Sequence, residues 1–295
     1  MISAVVPTYR GAERLARNLP TVLASLQSSG RPWEVVVVDD GGGGVEAAWP
    51  GVSVVHLPEN RGYGPTVNAG AAAARGDYLL VLNDDVRLQE GTVAALCSLF
   101  PDPGLFAAVP SIRSPLARTG DEAGKAGEWA AGLLEIRELP AAADPRPTLY
   151  PVGCCYLCPS ALFRDLGGYD DAYAPFLWED VDLGYRAWRR GLRVVHHPGA
   201  TSEHEGSATL SEHRTLEERE RIGFRNRVLF HLRNLQDPGL RAESLGALAA
   251  FALFEPRRER LEGLSDALAA FSVRGRRPEE GLSDRELLER CTGLR

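Results

Sequence analysis

The sequence of 295 residues predicts an α/β fold, a Rossmann-like, doubly wound and mostly parallel sheet with a helical C-terminal extension. Three observations predict it. Strand-like and helix-like segments alternate through the first third of the chain. Two of the strand-like segments, "WEVVVVDD" and "DYLLVLND", are apolar runs without polar interruption, as in strands buried on both faces. From residue 211 onward the pattern is helical to the end.

In chain order, "ISAVVP" (2–7) is a short buried strand stopped by Pro7. Residues 13–29 form a helix, with Leu15, Leu19, Val22, Leu23 and Leu26 on one stripe. Residues 33–40 and 52–57 are strands, 66–76 is an alanine-rich helix ended by Gly76, and 77–84 is a strand. The stretch 101–150, rich in Pro, Gly, Ala and charge, reads as loops and insertions at the sheet edge. "LYPVGCCYLCP" (149–159) is a strand and "SALFRDLGG" a short helix. "FLWEDVDLGYRAWRRG" (176–191) contains a helix that starts at Glu179 and Asp180 and ends at Gly191. Beyond it, within residues 196–209, His204 lies in a loop between glycines, and the C-terminal helices break near Pro238, Pro256 and Pro278. The expected division is a sheet domain over 1–210, with a nucleotide-binding half (about 1–100) and an acceptor half (about 101–210), then a helical region over 211–295.

Composition excludes several classes. With 44% hydrophobic and 25% charged residues the chain is ordinary for a globular domain. A net charge of -7 and the lack of a Lys/Arg block argue against nucleic acid as a partner. Five cysteines, three of them in "GCCYLC", do not make a disulfide framework; they read as buried thiols in a reducing, cytoplasmic setting. A zinc site there competes with that reading, but the sequence spacing to His196 and His197 matches no usual ligand pattern. No apolar run reaches the ~20 residues of a membrane span.

Three strand ends deliver polar residues to one rim, where ligands of open α/β sheets bind: Pro7-Thr8-Tyr9, Asp39-Asp40 and Asn83-Asp84-Asp85. In an extended strand Asn83 and Asp85 share a face that can offer oxygens to a divalent cation, while Asp84 points away. A turn and helix cap explains the same residues equally well. "VVVVDDGGGG" has neither the Lys-Ser/Thr nor the spacing of a phosphate loop, yet Asp39 and Asp40 are suited to accept nucleobase N–H or ribose hydroxyl donors. In "NRGYGPTVNAG", Arg61 and Asn68 are placed to meet a diphosphate near a helix start, against the alternative of an ordinary loop. Asp180, held ionised at a helix N-terminus beside Trp178, suits a general base; acids there are also common for stability alone. His204, if neutral, is a candidate metal ligand, and a surface histidine is the competing reading.

Taken together, "VVPTYR", "VVVVDDG", "NRGYGPTVNAG", "LNDDV" and "GGYDDAYAPFLWEDVDLGYRAWRRGLRVVHHPGATSEHEGS" resemble glycosyltransferase family 2, inverting enzymes of the GT-A fold, over about residues 1–210. Within it they are similar to the bacterial rhamnosyl- and galactofuranosyltransferase subgroup. The resemblance implies a nucleotide-diphosphate sugar donor, a divalent metal (Mg2+ or Mn2+) and a glycan or lipid-linked glycan acceptor. It places Pro7, Thr8, Tyr9, Asp39, Asp40, Arg61, Asn68, Asn83 and Asp84 on the nucleotide side. "LNDD" stands at the family's D-x-D motif, with Asn83 in place of the first aspartate and Asp85 at the metal-binding position. His204 matches the histidine that completes the metal site, Asp180 the base, and Trp178 and Glu179 the acceptor side. The C-terminal helices are left with three roles: acceptor binding, homodimer formation, or rest on the inner face of a membrane. A sugar nucleotidyltransferase is the first alternative, but "VVPTYRGAERL" lacks the Gly-rich, Lys/Arg-containing signature. A non-catalytic relative that binds sugar nucleotides is the second.

Overall fold

The computed structural model describes residues 1–46, 48–115, 117–206, 215–254, 257–274 and 280–291. Its strands are β1 (Ile2–Thr8), β2 (Trp33–Asp39), β3 (Val52–His56), β4 (Tyr78–Leu82), β5 (Val86–Leu88), β6 (Leu105–Arg113), β7 (Lys125–Ala130), β8 (Leu133–Glu138), β9 (Arg146–Pro147), β10 (Cys155–Pro159) and β11 (Arg193–His204). The helices are α1 (Ala12–Ser28), α2 (Tyr63–Ala73), α3 (Thr92–Cys97), α4 (Ser160–Asp165), α5 (Glu179–Arg189), α6 (Leu216–Asn234), α7 (Pro238–Phe254), α8 (Arg258–Arg274) and α9 (Asp284–Cys291).

The main sheet runs β3-β2-β1-β4-β10-β6-β11-β5, and β9 pairs with β11. β1 to β4 pair in parallel, while β10 is antiparallel to both β4 and β6. β1, β2 and β4 are buried almost throughout, as their unbroken apolar runs require. The order changes direction between β1 and β4, the place where an open sheet leaves a crevice at its strand ends. All five cysteines are buried free thiols, three of them in the packed segment around β10.

Several expectations need correction. The stretch 101–150 is not mostly loop: it holds β6, a fully integrated strand parallel to β11, and the β7–β8 hairpin. Pro110 within β6 and a two-residue Ala131-Gly132 turn mask these strands in the sequence. The second helix spans Tyr63–Ala73, so it ends before Gly76. Gly76 instead donates its N–H to Ser3 Oγ (2.8 Å), and an added Cβ would lie 2.7 Å from the Ser3 nitrogen. His204 is the last residue of β11, not part of a loop. The breaks at Pro256 and Pro278 and the 210/211 boundary lie outside the described residues. Pro238 opens α7, where its missing N–H costs nothing.

The C-terminal helices are bound to the sheet region by buried polar contacts. Arg233 pairs with Asp170 at 2.7 Å, and Asn234 Nδ2 donates to Asp182 Oδ1 at 2.8 Å. Asn226 Nδ2 faces the carbonyls of Tyr173, Phe176 and Leu177 at 2.7, 2.9 and 2.8 Å, so α6 holds the loop that leads into α5. Asn226→Ala is expected to cost about 1–3 kcal/mol in urea unfolding, the price of leaving buried carbonyls unpaired. Among the described residues no helix is long and apolar enough to cross a membrane.

Candidate active site

The strand ends at the crevice are tied together by hydrogen bonds before any ligand is considered. Thr8 Oγ1 donates to Asp84 Oδ2 at 2.5 Å, Arg14 Nε to Asp84 Oδ1 at 3.3 Å, and Asn18 Nδ2 to the Asp84 carbonyl at 3.0 Å. Burial raises the Asp84 pKa, while Thr8 and Arg14 oppose it. Asp84 therefore braces the acidic turn against β1 and α1. The chain leaves β4 at Leu82 and turns, with Val86 N donating to Asn83 O, so the extended alternation expected for Asn83–Asp85 does not apply. All three side chains line one cleft of about 590 Å3, together with Pro7, Thr8 and Tyr9.

Gly11 sits where this turn meets α1. A Cβ there would lie 1.9 Å from Asp84 Oδ2 and 2.5 Å from Thr8 Oγ1. Gly11→Ala must push the turn aside; a loss of about 1–3 kcal/mol is expected, as for other overpacked sites.

Asp85 lines the cleft, and His204 stands behind the wall against Asp85, Glu122 and Cys154. His204 Nε2 lies 3.4 Å from Asp85 Oδ1, and neither buried atom has a hydrogen-bond partner among the described residues. On its other side His204 Nδ1 is 3.1 Å from Glu122 Oε2. One ligand atom each of Glu122, Cys154 and His204 lie within 4.8 Å of one another. Burial alone would lower the His204 pKa; Cys154, Asp85 and Glu122 outweigh it and push the pKa up, which marks a corner that attracts positive charge. The donor set of carboxylate, imidazole and thiol, with buried unpaired atoms facing each other, fits a divalent cation.

Asp180 enters the cleft from the first turn of α5. Its Oδ2 accepts from Gly153 N at 3.1 Å and its Oδ1 from Val181 N at 2.8 Å. Burial pushes its pKa up to about 6 even though both amides pull it down. The preceding Leu177 and Trp178 take left-handed φ values of 72° and 75°, strain of order 1–3 kcal/mol each that the α6 contacts sustain. Glu179 is buried with Oε2 unpartnered; burial, then the Asp180 charge, raises its pKa well above the usual carboxylate range. Trp178 turns its ring towards Phe230 and His231, at 5.3 and 6.2 Å between centroids, and is not part of the cleft wall.

The remaining candidates fall into two groups. Asp40 lines the cleft and accepts from Arg61 N (2.8 Å) and Gly62 N (3.0 Å), closing the 60–62 loop over the β2 end. Asp39 lies just behind, accepting from Gly42 and Gly43 N–H groups and 3.2 Å from His56 Nδ1. Asn68 and the Arg61 side chain stand outside the wall: Asn68 bonds Tyr169 backbone atoms, and Arg61 reaches Asp171 at 3.8 Å. Gly11, Arg14, Asn18, Glu122 and Gly153 were not among the residues expected from the sequence, and Cys154 was expected there as a buried thiol, with a zinc site as the competing reading. A polar Asn18 on the apolar stripe of α1, only 1% exposed, was the one visible signal. The others depend on which loops the topology brings together.

A family model described as glycosyl transferase family 2 matches residues 3–166. The N-acetylglucosaminyl-diphospho-decaprenol L-rhamnosyltransferase of Mycobacterium tuberculosis is 30% identical over 241 residues, 69% of this chain and 76% of that protein. Among solved structures, S. aureus TarS 1-349 in complex with UDP-GlcNAc superposes with a TM-score of 0.58 at 17% identity, covering 91% of this chain and 81% of that one. GalNAc-T7 with UDP, GalNAc and Mn2+ superposes with a TM-score of 0.59 at 16% identity, covering 84% of this chain. This chain spans 54% of the GalNAc-T7 chain. At those identities the structural likeness establishes the fold, which is GT-A.

Proposed function

This chain belongs to glycosyl transferase family 2 and is a glycosyltransferase, and from that premise we propose that it is metal-dependent and inverting. It takes a nucleotide-diphosphate sugar and transfers the sugar to a hydroxyl of a glycan or lipid-linked glycan. The observation that carries this reading is the composition of one cleft. Asp85, Glu122 and Cys154 line it, His204 Nε2 stands 3.4 Å from Asp85 Oδ1 just behind, and the same wall presents Asp180 with its pKa raised to about 6.

Asp85 and His204 would hold the cation, which when bound supplies Lewis-acid neutralisation of the leaving diphosphate. Asp180 removes the proton of the acceptor hydroxyl as that oxygen attacks the anomeric carbon, on the face opposite the leaving group. A single displacement needs no enzyme nucleophile. Gly153 N and Val181 N fix the orientation of the carboxylate without filling it, so lone pairs remain for the incoming proton. The Asp40 region and Pro7-Thr8-Tyr9 form the nucleotide side of the cleft. The M. tuberculosis relative is named for a lipid-linked acceptor. Leu253 and Phe254, 72% and 81% exposed at the end of α7, support contact of the C-terminal helices with the surface that carries such an acceptor.

Calorimetric titration of a panel of sugar nucleotides and free nucleoside diphosphates, with Mn2+ and with chelator, tests the donor side. Binding of one nucleotide that disappears with chelator and in Asp85→Asn is the expected result. Full affinity in chelator, or in Asp85→Asn with Mn2+, refutes the metal-dependent reading.

A further inference from the structure

We propose that the Cys154 thiolate is a direct ligand of the cation in this cleft, making it a mixed oxygen, nitrogen and sulfur site that prefers Zn2+ or Co2+ to Mg2+. The inference rests on the reading of the cleft as a cation site and adds a ligand to it.

Three observations carry it. The first is proximity: the sulfur, an imidazole nitrogen of His204 and a carboxylate oxygen of Glu122 cluster within 4.8 Å. The cluster puts the sulfur beside the imidazole that faces Asp85; bringing Sγ, Nε2 and the Asp85 carboxylate to the roughly 3–4 Å spacing of ligands on one tetrahedral cation takes a side-chain movement. The second is the pair of atoms aimed into the same corner. His204 is 6% exposed and Asp85 3%, yet His204 Nε2 and Asp85 Oδ1 have no hydrogen-bond partner among the described residues. The third is the rigidity of the segment that presents the thiol. Tyr63 Oη donates to Gly153 O, Gly153 N donates to Asp180, and Asn83 N donates to Cys154 O at 3.0 Å. The backbone around Cys154 is thus anchored to the acidic turn, to α2 and to α5 at once.

Of the five cysteines, Cys154 is the one in the cleft wall. Its neighbours Cys155 and Cys158 lie in β10, paired between β4 and β6. Glu122 complements the arrangement from behind. By accepting from His204 Nδ1 it holds the proton on that nitrogen, so that Nε2 is the atom that gives up its proton to the cation, the usual role of a carboxylate paired with a ligating imidazole. Glu122 is in turn placed by its neighbour Asp121, which accepts from Ile112 N, Ala123 N and Ser111 Oγ. On binding, the Cys154 Sγ–H and His204 Nε2–H bonds break, sulfur and nitrogen keep the electron pairs for the metal bonds, and both protons leave to solvent. A thiolate in the set selects softer cations over Mg2+, which favours oxygen ligands and water.

Co2+ is the probe, because its thiolate complexes absorb in the near ultraviolet by charge transfer while its ligand-field bands report any bound ion. The full chain is titrated with Co2+, alone and with inorganic pyrophosphate, as wild type, Cys154→Ser, Cys154→Ala, Glu122→Gln and Asp85→Asn, with Tm recorded for each. The expected result is a charge-transfer band in wild type that Cys154→Ser and Cys154→Ala both lack. Glu122→Gln keeps the band but binds Co2+ ~10–100-fold more weakly, as loss of an orienting partner does. Co2+ bound with ligand-field bands but no charge-transfer band, and with the same affinity in Cys154→Ser, overturns the thiolate ligand and leaves the Asp85–His204 site standing. No Co2+ bound by wild type under either condition overturns both.

Discussion

Asp180→Asn is expected to lower turnover ~10^3-fold while leaving the fold intact. General-base catalysis by a positioned side chain contributes typically ~10^2–10^4, and an amide cannot take the proton. The amide still offers Gly153 N an acceptor oxygen, so the loop should not move. Stability should hold or improve, because the carboxylate is kept charged in a half-buried, poorly solvated place at neutral pH. The sign follows from its raised pKa: between the ordinary value of 3.8 and about 6 the folded chain binds more protons than the unfolded one. Asp180 therefore destabilises the fold increasingly as pH rises through that window, and a neutral residue removes the effect. A Tm equal to wild type or a few degrees higher, measured at pH 7.5, together with the lost turnover, is the expected pair of results. In the wild type, kcat/KM should rise with pH through about 6 as Asp180 loses its proton. Retention of more than a tenth of wild-type turnover by Asp180→Asn would remove this residue from the role of base.

Asp284→Ala is expected to cost ~3–5 kcal/mol, the usual effect of removing one partner of a buried ion pair. Asp284 is fully buried at the start of α9 and collects four donors. Tyr185 Oη donates to its Oδ1 at 2.6 Å, and Arg189 pairs with the same oxygen. Gln236 N and Asp237 N donate to Oδ2 at 2.7 and 2.6 Å. Leu282 N and O close a further ring with Arg189, through Leu282 N to Arg189 O at 2.8 Å and Arg189 Nη1 to Leu282 O at 2.7 Å. Alanine leaves a guanidinium, a phenol and two amides without their acceptor in a place water does not reach. Because Tyr185 and Arg189 belong to α5, whose first turn carries Asp180, turnover should fall with stability. Urea unfolding checks the first effect, and Asp284→Asn, which retains an acceptor but not the charge, should fall between. A loss below 1 kcal/mol for Asp284→Ala would mean that α9 is not fastened through this group.

The pattern of the first hundred residues was enough to read the parallel half of the sheet, because β1, β2 and β4 are apolar on both faces and leave no alternative assignment. The same pattern failed over 101–150. There β6 gains its place by pairing with β11, some ninety positions later, and no local periodicity records such a partner. The start of α5 at Glu179 and its stop before Gly191 were local matters, visible as acids at one end and a left-handed glycine at the other.

The candidate site divides along the same line. Asp85 and Asp180 stand out in the sequence as acids that follow apolar runs, and His204 as the histidine of "SEHEGS" that the family resemblance marks. What surrounds them does not stand out. Glu122 reaches His204 across 82 positions, Gly153 holds Asp180 across 27, and Arg14 braces Asp84 across 70. The sequence by itself determined the chemistry available at the rim, since residue types and strand ends are local properties. Only the tertiary structure decided which carboxylate is held by a hydroxyl and a guanidinium and which faces the imidazole. Asp84 and Asp85 are adjacent and alike in sequence, but Thr8 and Arg14 occupy the first, while the second faces His204. That choice is made by long-range packing of α1 and β11 against one turn, and the chain pattern carries no record of it.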